Sequence, residues 1–329
     1  MEPFELHRPT EVGEAMEILA RHGEEAMLMA GGTDVLIQLQ QEVKAPGHVV
    51  LLNRIKALEA VRMTDDGGMV VGAGARLADI ERSPVIQERF PVLAQAASHV
   101  ASPLIRQTAT LGGNICLDNK CWYYDQTAHW KESHHRCLKH DGDICHVVVG
   151  GDVCYAISAS DTAPALIALG AKVRIVGPDG DRVIPLQGLY TGIGETPIEL
   201  APNEIVTEIQ VPPPGPAAGS CYRRIATRGA IDFAFACAAA VVTLDAGGKT
   251  CADARICVNG VSMKPVDAVK GSALLVGKAP SEALFDSAAK EASKESRPFS
   301  DIEKLAGYRG KMVRVIVRRV LEAAFEAAG

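Results

Sequence analysis

The sequence predicts an α+β fold, with helices and strands mixed in irregular order. Strand-like apolar runs and helical patterns do not alternate regularly along the 329 residues, as a doubly wound parallel sheet would require. Three glycine-rich turns, each following an apolar run, punctuate the first 114 residues. A proline-rich stretch, Pro212-Pro213-Pro214-Gly215-Pro216, then breaks the chain at its best candidate domain boundary.

In chain order, Thr10 is a plausible N-cap, and Val12, Ala15, Met16 and Leu19 follow it at helical spacing. A short apolar run at residues 26–30 leads directly into the first glycine turn, and runs at 49–53 and 69–75 read as strands punctuated by turn residues. Helical patterns return at residues 77–81 and 91–100. Residues 161–169 read as a helix opening on an acidic cap, Asp161. Residues 172–176 and 182–184 form a hairpin around Pro178-Asp179-Gly180, and residues 204–211 alternate as a strand. Beyond the prolines, residues 235–244 and 252–261 are strand candidates. The chain finishes in an amphipathic helix marked by Val313, Ile316, Val317, Val320, Leu321 and Phe325.

With 47% hydrophobic residues the chain can bury a substantial core over two or three domains. A net charge of −6 provides no basic field for nucleic acid or anionic lipid. Apolar runs reach only about ten residues, too short to span a bilayer. The first residues lack the basic-then-apolar order of an export signal, so the expectation is a cytoplasmic protein whose nine cysteines are thiols or metal ligands.

The three turns are MAGGTDVL (residues 29–36), VGAGAR (71–76) and TATLGGN (108–114). Glycine leaves backbone N–H groups unshielded, which suits them to a pyrophosphate, with the Thr33 or Thr110 hydroxyl as an extra donor. None is the G-x-G-x-x-G fingerprint, and no Walker A motif is present. On composition alone, tight turns without a ligand fit equally well.

Five cysteines, Cys116, Cys121, Cys137, Cys145 and Cys154, fall in one polar window with the spacing C-x4-C-x15-C-x7-C-x8-C. Both tryptophans and five of the nine histidines lie inside it. Paired C-x2-C zinc knuckles and ferredoxin-like triplets are both absent, so the spacing leaves an Fe–S cluster, zinc or free thiols open. So polar a segment offers little apolar core for thiols to fill. Cys221, Cys237, Cys251 and Cys257 stand in apolar contexts and read as core residues.

The turns and the later SASDTAPAL (residues 158–166) together resemble the FAD-binding medium subunit of the molybdenum hydroxylase, or xanthine oxidase, family. The words CWYYDQ, HRCLKHDGDICHVV and DVCYA resemble the insertion in the β subunit of 4-hydroxybenzoyl-CoA reductase, which carries an extra [4Fe–4S] cluster. The resemblance runs over nearly the whole chain. It implies a FAD-binding fold of the vanillyl-alcohol oxidase type over residues 1–216, with subdomains about 1–54 and 55–216 and the insertion about 116–155. A smaller α/β domain of the CO dehydrogenase flavoprotein type would occupy residues 217–329.

The same resemblance implies roles. Met29, Ala30, Gly31, Gly32, Thr33, Asp34 and Val35 would wrap the FAD pyrophosphate. Thr110, Leu111, Gly112, Gly113 and Asn114 would contact the flavin end. Asp161 matches the family's acidic FAD contact, and Arg224 stands where relatives often carry a lysine near the flavin. Cys121, Cys137, Cys145 and Cys154 would ligate the cluster, leaving Cys116 spare near the flavin. No [2Fe–2S] or molybdopterin motif is present, so the implied partners are a molybdopterin-containing large subunit, a [2Fe–2S] small subunit and ferredoxin or a similar electron carrier, in a dimer of heterotrimers. Electrons from ferredoxin would pass through the extra cluster and the flavin to the [2Fe–2S] centres and molybdenum. There the phenolic hydroxyl of a 4-hydroxybenzoyl thioester would be removed. Two other readings are a subunit of a dehydrogenase hydroxylating a purine, an N-heterocycle or another acyl-CoA, and a zinc-stabilised, flavin-free assembly module.

Overall fold

Three sheets organise the computed structural model, which describes residues 1–299 and 306–329. The first is parallel, in the order β1-β3-β2, from β1 (Glu5–His7), β2 (Ala26–Met29) and β3 (His48–Leu51). The helix Val12–His22 covers it, burying Ala15 and Leu19 in a cluster with Val50. Thr10 is not its N-cap. Glu11 holds that position without a side-chain bond, and the Glu14 carboxylate accepts the Thr10 N–H at 2.8 Å. A carboxylate in the first turn meets the positive end of the helix dipole, so Glu14 stabilises this end while holding Thr10 outside the helix.

The second sheet is antiparallel, in the order β4-β5-β8-β6-β7. Its strands are β4 (Val61–Met63), β5 (Met69–Gly72), β6 (Lys172–Gly177), β7 (Gly180–Pro185) and β8 (Ile205–Val211). The expected hairpin is β6–β7, turned on Gly180 at a φ of 112° that only glycine adopts without strain. The third sheet, also antiparallel, has the order β12-β11-β10-β9, from β9 (Ala218–Ile225), β10 (Ala236–Leu244), β11 (Cys251–Asn259) and β12 (Val266–Asp267).

Both faces of β10 are buried, which explains its run of small residues. Cys237 and Ala239 look into the central core, together with Tyr222 and Cys257. That core is filled by Val71, Val173 and Ile209 of the second sheet and by the helices Leu77–Arg82, Pro91–His99 and Thr162–Ala168. Ala236, Ala238, Ala240 and Val242 look the other way, onto the helices Glu282–Ser296 and Ala306–Ala328. The last helix buries Val313, Ile316, Val317, Val320, Leu321 and Phe325, the expected stripe, each worth about 1.5–3 kcal/mol when fully withdrawn from water. A side chain on Gly219 would overlap the Ala324 carbonyl, so this helix lies directly on the β9 backbone. Cys221, Cys251 and Cys257 are buried in these same layers, as core residues. Among the described residues no helix is long and apolar enough to cross a membrane.

Candidate functional site

The three glycine turns meet. The first leaves β2 at Met29, turns through Gly32 at φ 72°, and enters the short helix Val35–Gln40. A Cβ on Gly31 would overlap the Thr108 carbonyl, so the first turn presses on the start of the third. The second and third turns are zipped by Leu111 N–H to Ala75 O at 2.9 Å and Gly112 N–H to Ala73 O at 2.7 Å. A Cβ on Gly112 would stand 2.7 Å from that same carbonyl. Gly31 and Gly112 are therefore needed by the fold itself.

Gly113 is different. It is exposed, and a Cβ there would meet only Thr110 Oγ1 within 4 Å, at 3.0 Å. Thr110 caps the helix Leu111–Ile115, its hydroxyl oxygen accepting the Gly113 N–H at 3.1 Å. Among the described residues, the N–H groups of Gly31, Gly32 and Thr33 donate to no partner. Unpaired backbone amides in a glycine turn are what an extended phosphate-bearing ligand needs.

Asp34 binds Lys120 Nζ at 2.5 Å and Gln38 Nε2 at 2.6 Å, tying the first turn to the base of the cysteine window. Asn114 points inward. Its Oδ1 accepts from Ser160 Oγ at 2.8 Å, Thr162 N–H at 3.2 Å and Thr162 Oγ1 at 2.6 Å. This corrects the expected cap of the 162–168 helix: Asp161 holds the N-cap position, but its side chain makes no capping bond; Asn114 Oδ1 accepts the Thr162 N–H and Ser160 Oγ the Ala163 N–H instead. The buried Asp161 carboxylate turns to Tyr222 Oη at 2.5 Å and Arg224 Nη1 at 3.3 Å. Burial pushes Asp161 above the usual carboxylate range, and Arg224 and the Tyr222 hydroxyl oppose that push. Arg224 also donates to Asp232 O at 3.1 Å, which anchors its guanidinium against this pair.

The cysteine window leaves and rejoins the fold through one antiparallel bridge, with paired Lys120–Ile157 backbone bonds of 2.8 and 2.9 Å. Asn119 locks this base by donating to Ala156 O and Met263 O. Cys121, Cys137, Cys145 and Cys154, from four separate segments, line a single hollow together with Tyr123, Tyr124 and His146. Two sulfurs accept backbone N–H groups, Cys145 from Val148 at 3.5 Å and Cys154 from Ala156 at 3.4 Å. Burial pushes the Cys121 thiol up to about 11 and Cys154 up to about 12. Cys116 does not line the hollow. It packs against the central core, and burial pushes its thiol up to about 12.

Beside the hollow lies a group that sequence reasoning missed. Lys131 is 5% exposed, and its Nζ has no hydrogen-bond partner. It stands 5.4 Å from the centre of the Tyr124 ring, which lines the hollow. Lys139 Nζ stands 5.1 Å from the same ring, bound to Asp118 Oδ1 and Gly194 O. A buried ammonium with no partner is costly unless a negative charge offsets it. Lysines at these positions carry no local sequence signal of burial.

Comparison with known proteins adds family context. Residues 2–214 match the family described as the FAD binding domain in molybdopterin dehydrogenase, and residues 221–324 match the CO dehydrogenase flavoprotein C-terminal domain. The chain is 30% identical to the carbon monoxide dehydrogenase medium chain of Hydrogenophaga pseudoflava, over 98% of this chain and 97% of that one. It is 26% identical to a putative xanthine dehydrogenase FAD-binding subunit of Escherichia coli, over 98% and 96%. A solved carbon monoxide dehydrogenase from Hydrogenophaga pseudoflava superposes with a TM-score of 0.81 at 29% identity, covering 99% of each chain.

Proposed function

The chain belongs to the FAD-binding medium-subunit family of the molybdenum hydroxylases, and from that premise we propose that it is the FAD- and [4Fe–4S]-carrying electron-transfer subunit of a 4-hydroxybenzoyl-CoA reductase-like complex. The observation that carries the finer reading is the single hollow shared by Cys121, Cys137, Cys145 and Cys154. Four thiols are the chemistry of iron–sulfur ligation, and His146, which also lines the hollow, has its Nε2 engaged with His135 O at 2.7 Å.

Other features support it over zinc. A mononuclear site with Zn–S bonds of about 2.3 Å holds its sulfurs roughly 3.8 Å apart. Among the described residues no three of these sulfurs lie within 4.8 Å of one another. A polynuclear cluster spaces its ligands more widely, because each thiolate binds a different iron. The unpartnered Lys131 ammonium supplies positive charge for an anionic cluster, and the N–H groups of Val148 and Ala156 supply hydrogen bonds to its sulfurs. FAD would lie along residues 29–35 and 110–114, within the proposed 1–216 domain, with Gly113 giving close approach and Asp161 and Arg224 fixed behind it.

A flavin exchanges one or two electrons and an iron–sulfur cluster one, so the pair matches one-electron carriers to two-electron chemistry. The chain's own residues set distance and potential for that transfer. Substrate would react on a separate molybdenum subunit, where two electrons and two protons replace the phenolic hydroxyl by hydrogen and release water. Ferredoxin or a similar low-potential carrier would be the donor. A second reading, a hydroxylating dehydrogenase, draws on the relatives named for carbon monoxide and xanthine.

One assay separates the two. The assembled complex, reduced through a low-potential donor, should convert 4-hydroxybenzoyl-CoA to benzoyl-CoA and should fail to hydroxylate purines with an acceptor dye. The reverse pattern supports the dehydrogenase. Lys131→Met should leave iron content unchanged yet lower the cluster potential by roughly 60 mV, the equivalent of a tenfold change for a one-electron couple. A spectroelectrochemical titration reads this directly, and an unchanged potential would detach Lys131 from the cluster.

A further inference from the structure

Three histidines at the first sheet carry an inference independent of the proposed function. His7 ends β1, His48 opens β3, and His22 closes the helix packed over them. Glu5 pairs with His48 in register and shares a strand face with His7, two residues on. The helix reaches that same face through Ala15 and Leu19, which pack with Val50.

The distances are those of a coordination shell. One ligand atom from each of the three imidazoles lies within 4.8 Å of the others. His7 Nε2 and His48 Nδ1 are 3.1 Å apart, and Glu5 Oε2 is 3.4 Å from the latter and 3.9 Å from the former. A tetrahedral ion with bonds of about 2.0–2.1 Å spaces its ligand atoms roughly 3.3 Å apart, which these separations bracket. The His22 ring lies tilted by 31° against His48, with centroids 3.6 Å apart. His7 and His48 can share one proton in a hydrogen bond, but His22 has no hydrogen-bond partner among the described residues, so hydrogen bonding alone does not account for its place in the group.

We propose that His7, His22 and His48, with Glu5 as the fourth donor, form a binding site for a divalent transition-metal ion of zinc's class. Three clustered imidazoles, with a carboxylate 3.4 Å from one of them, suit zinc rather than calcium or magnesium, which take oxygen ligands in larger number. The ion would staple the end of the 12–22 helix to the sheet that leads into the first glycine turn.

Equilibrium dialysis of the chelator-washed complex against Zn²⁺ tests this, with the cysteine hollow left in its native state. Wild type should retain one Zn²⁺ per chain at this site. His22→Gln and, separately, His7→Gln should weaken binding at least about tenfold. His134→Gln, in the cysteine window, should change nothing. Zinc-edge X-ray absorption on the dialysed wild type should show nitrogen and oxygen neighbours alone. Unchanged binding in both His22→Gln and His7→Gln, no retained zinc in wild type, or sulfur in the zinc shell would each overturn the site.

Discussion

Cys121→Ser, Cys137→Ser, Cys145→Ser and Cys154→Ser should each abolish or degrade the [4Fe–4S] signal of the purified complex, whereas Cys116→Ser should leave it intact. The four thiols line one hollow and the fifth packs against the apolar core instead, so the contrast is built into the packing. The effect extends to the whole window. Residues 121–154 contain only one short helix and one 3-10 turn, so much of their order would come from coordination. Each ligand variant should therefore become protease-sensitive in this segment, with the sheets undisturbed. Iron, acid-labile sulfide and limited proteolysis measure both effects. Four irons per chain in all four variants would remove the cysteines from cluster ligation.

The second large effect separates cofactor contact from fold at adjacent glycines. Gly113→Val should give a folded chain depleted of FAD. Gly113 is exposed, and the only atom its new Cβ would crowd is the Thr110 hydroxyl. Gly31→Val should instead lose the fold around the junction, because its Cβ would overlap the Thr108 carbonyl and backbone cannot yield as a flexible side chain does. Overpacking of this kind costs about 3 kcal/mol or more. Thermal unfolding with flavin quantification reads the pair. Full flavin occupancy in folded Gly113→Val would make the third turn structural punctuation only.

Local patterns in the sequence made much of the architecture legible. The stripe of the last helix, the β6–β7 hairpin and the long strands β10 and β11 follow from periodicity and turn chemistry that act over neighbouring residues. The thiols were visible as a group because they crowd one window, but spacing alone did not separate a cluster from zinc. Non-local contacts stayed hidden. Nothing in TATLGGN announces that Asn114 caps a helix 48 residues away, or that Gly31 is held by Thr108. The Thr10 and Asp161 caps were misread for the same reason: residue type names a cap, while tertiary partners decide which oxygen fills it. Lys131 and the Glu5–His7–His22–His48 group assemble only when separate segments fold together.

The central claim is that the cysteine window admits electrons from outside and lies off the path between flavin and molybdenum. Stopped-flow reduction of the flavin in the Cys137→Ser complex, driven first by a low-potential donor and then from the molybdenum side, tests it most directly. Flavin reduction by the donor should collapse while reduction from the molybdenum side keeps its wild-type rate. Equal loss from both directions, or no loss from either, would contradict the claim.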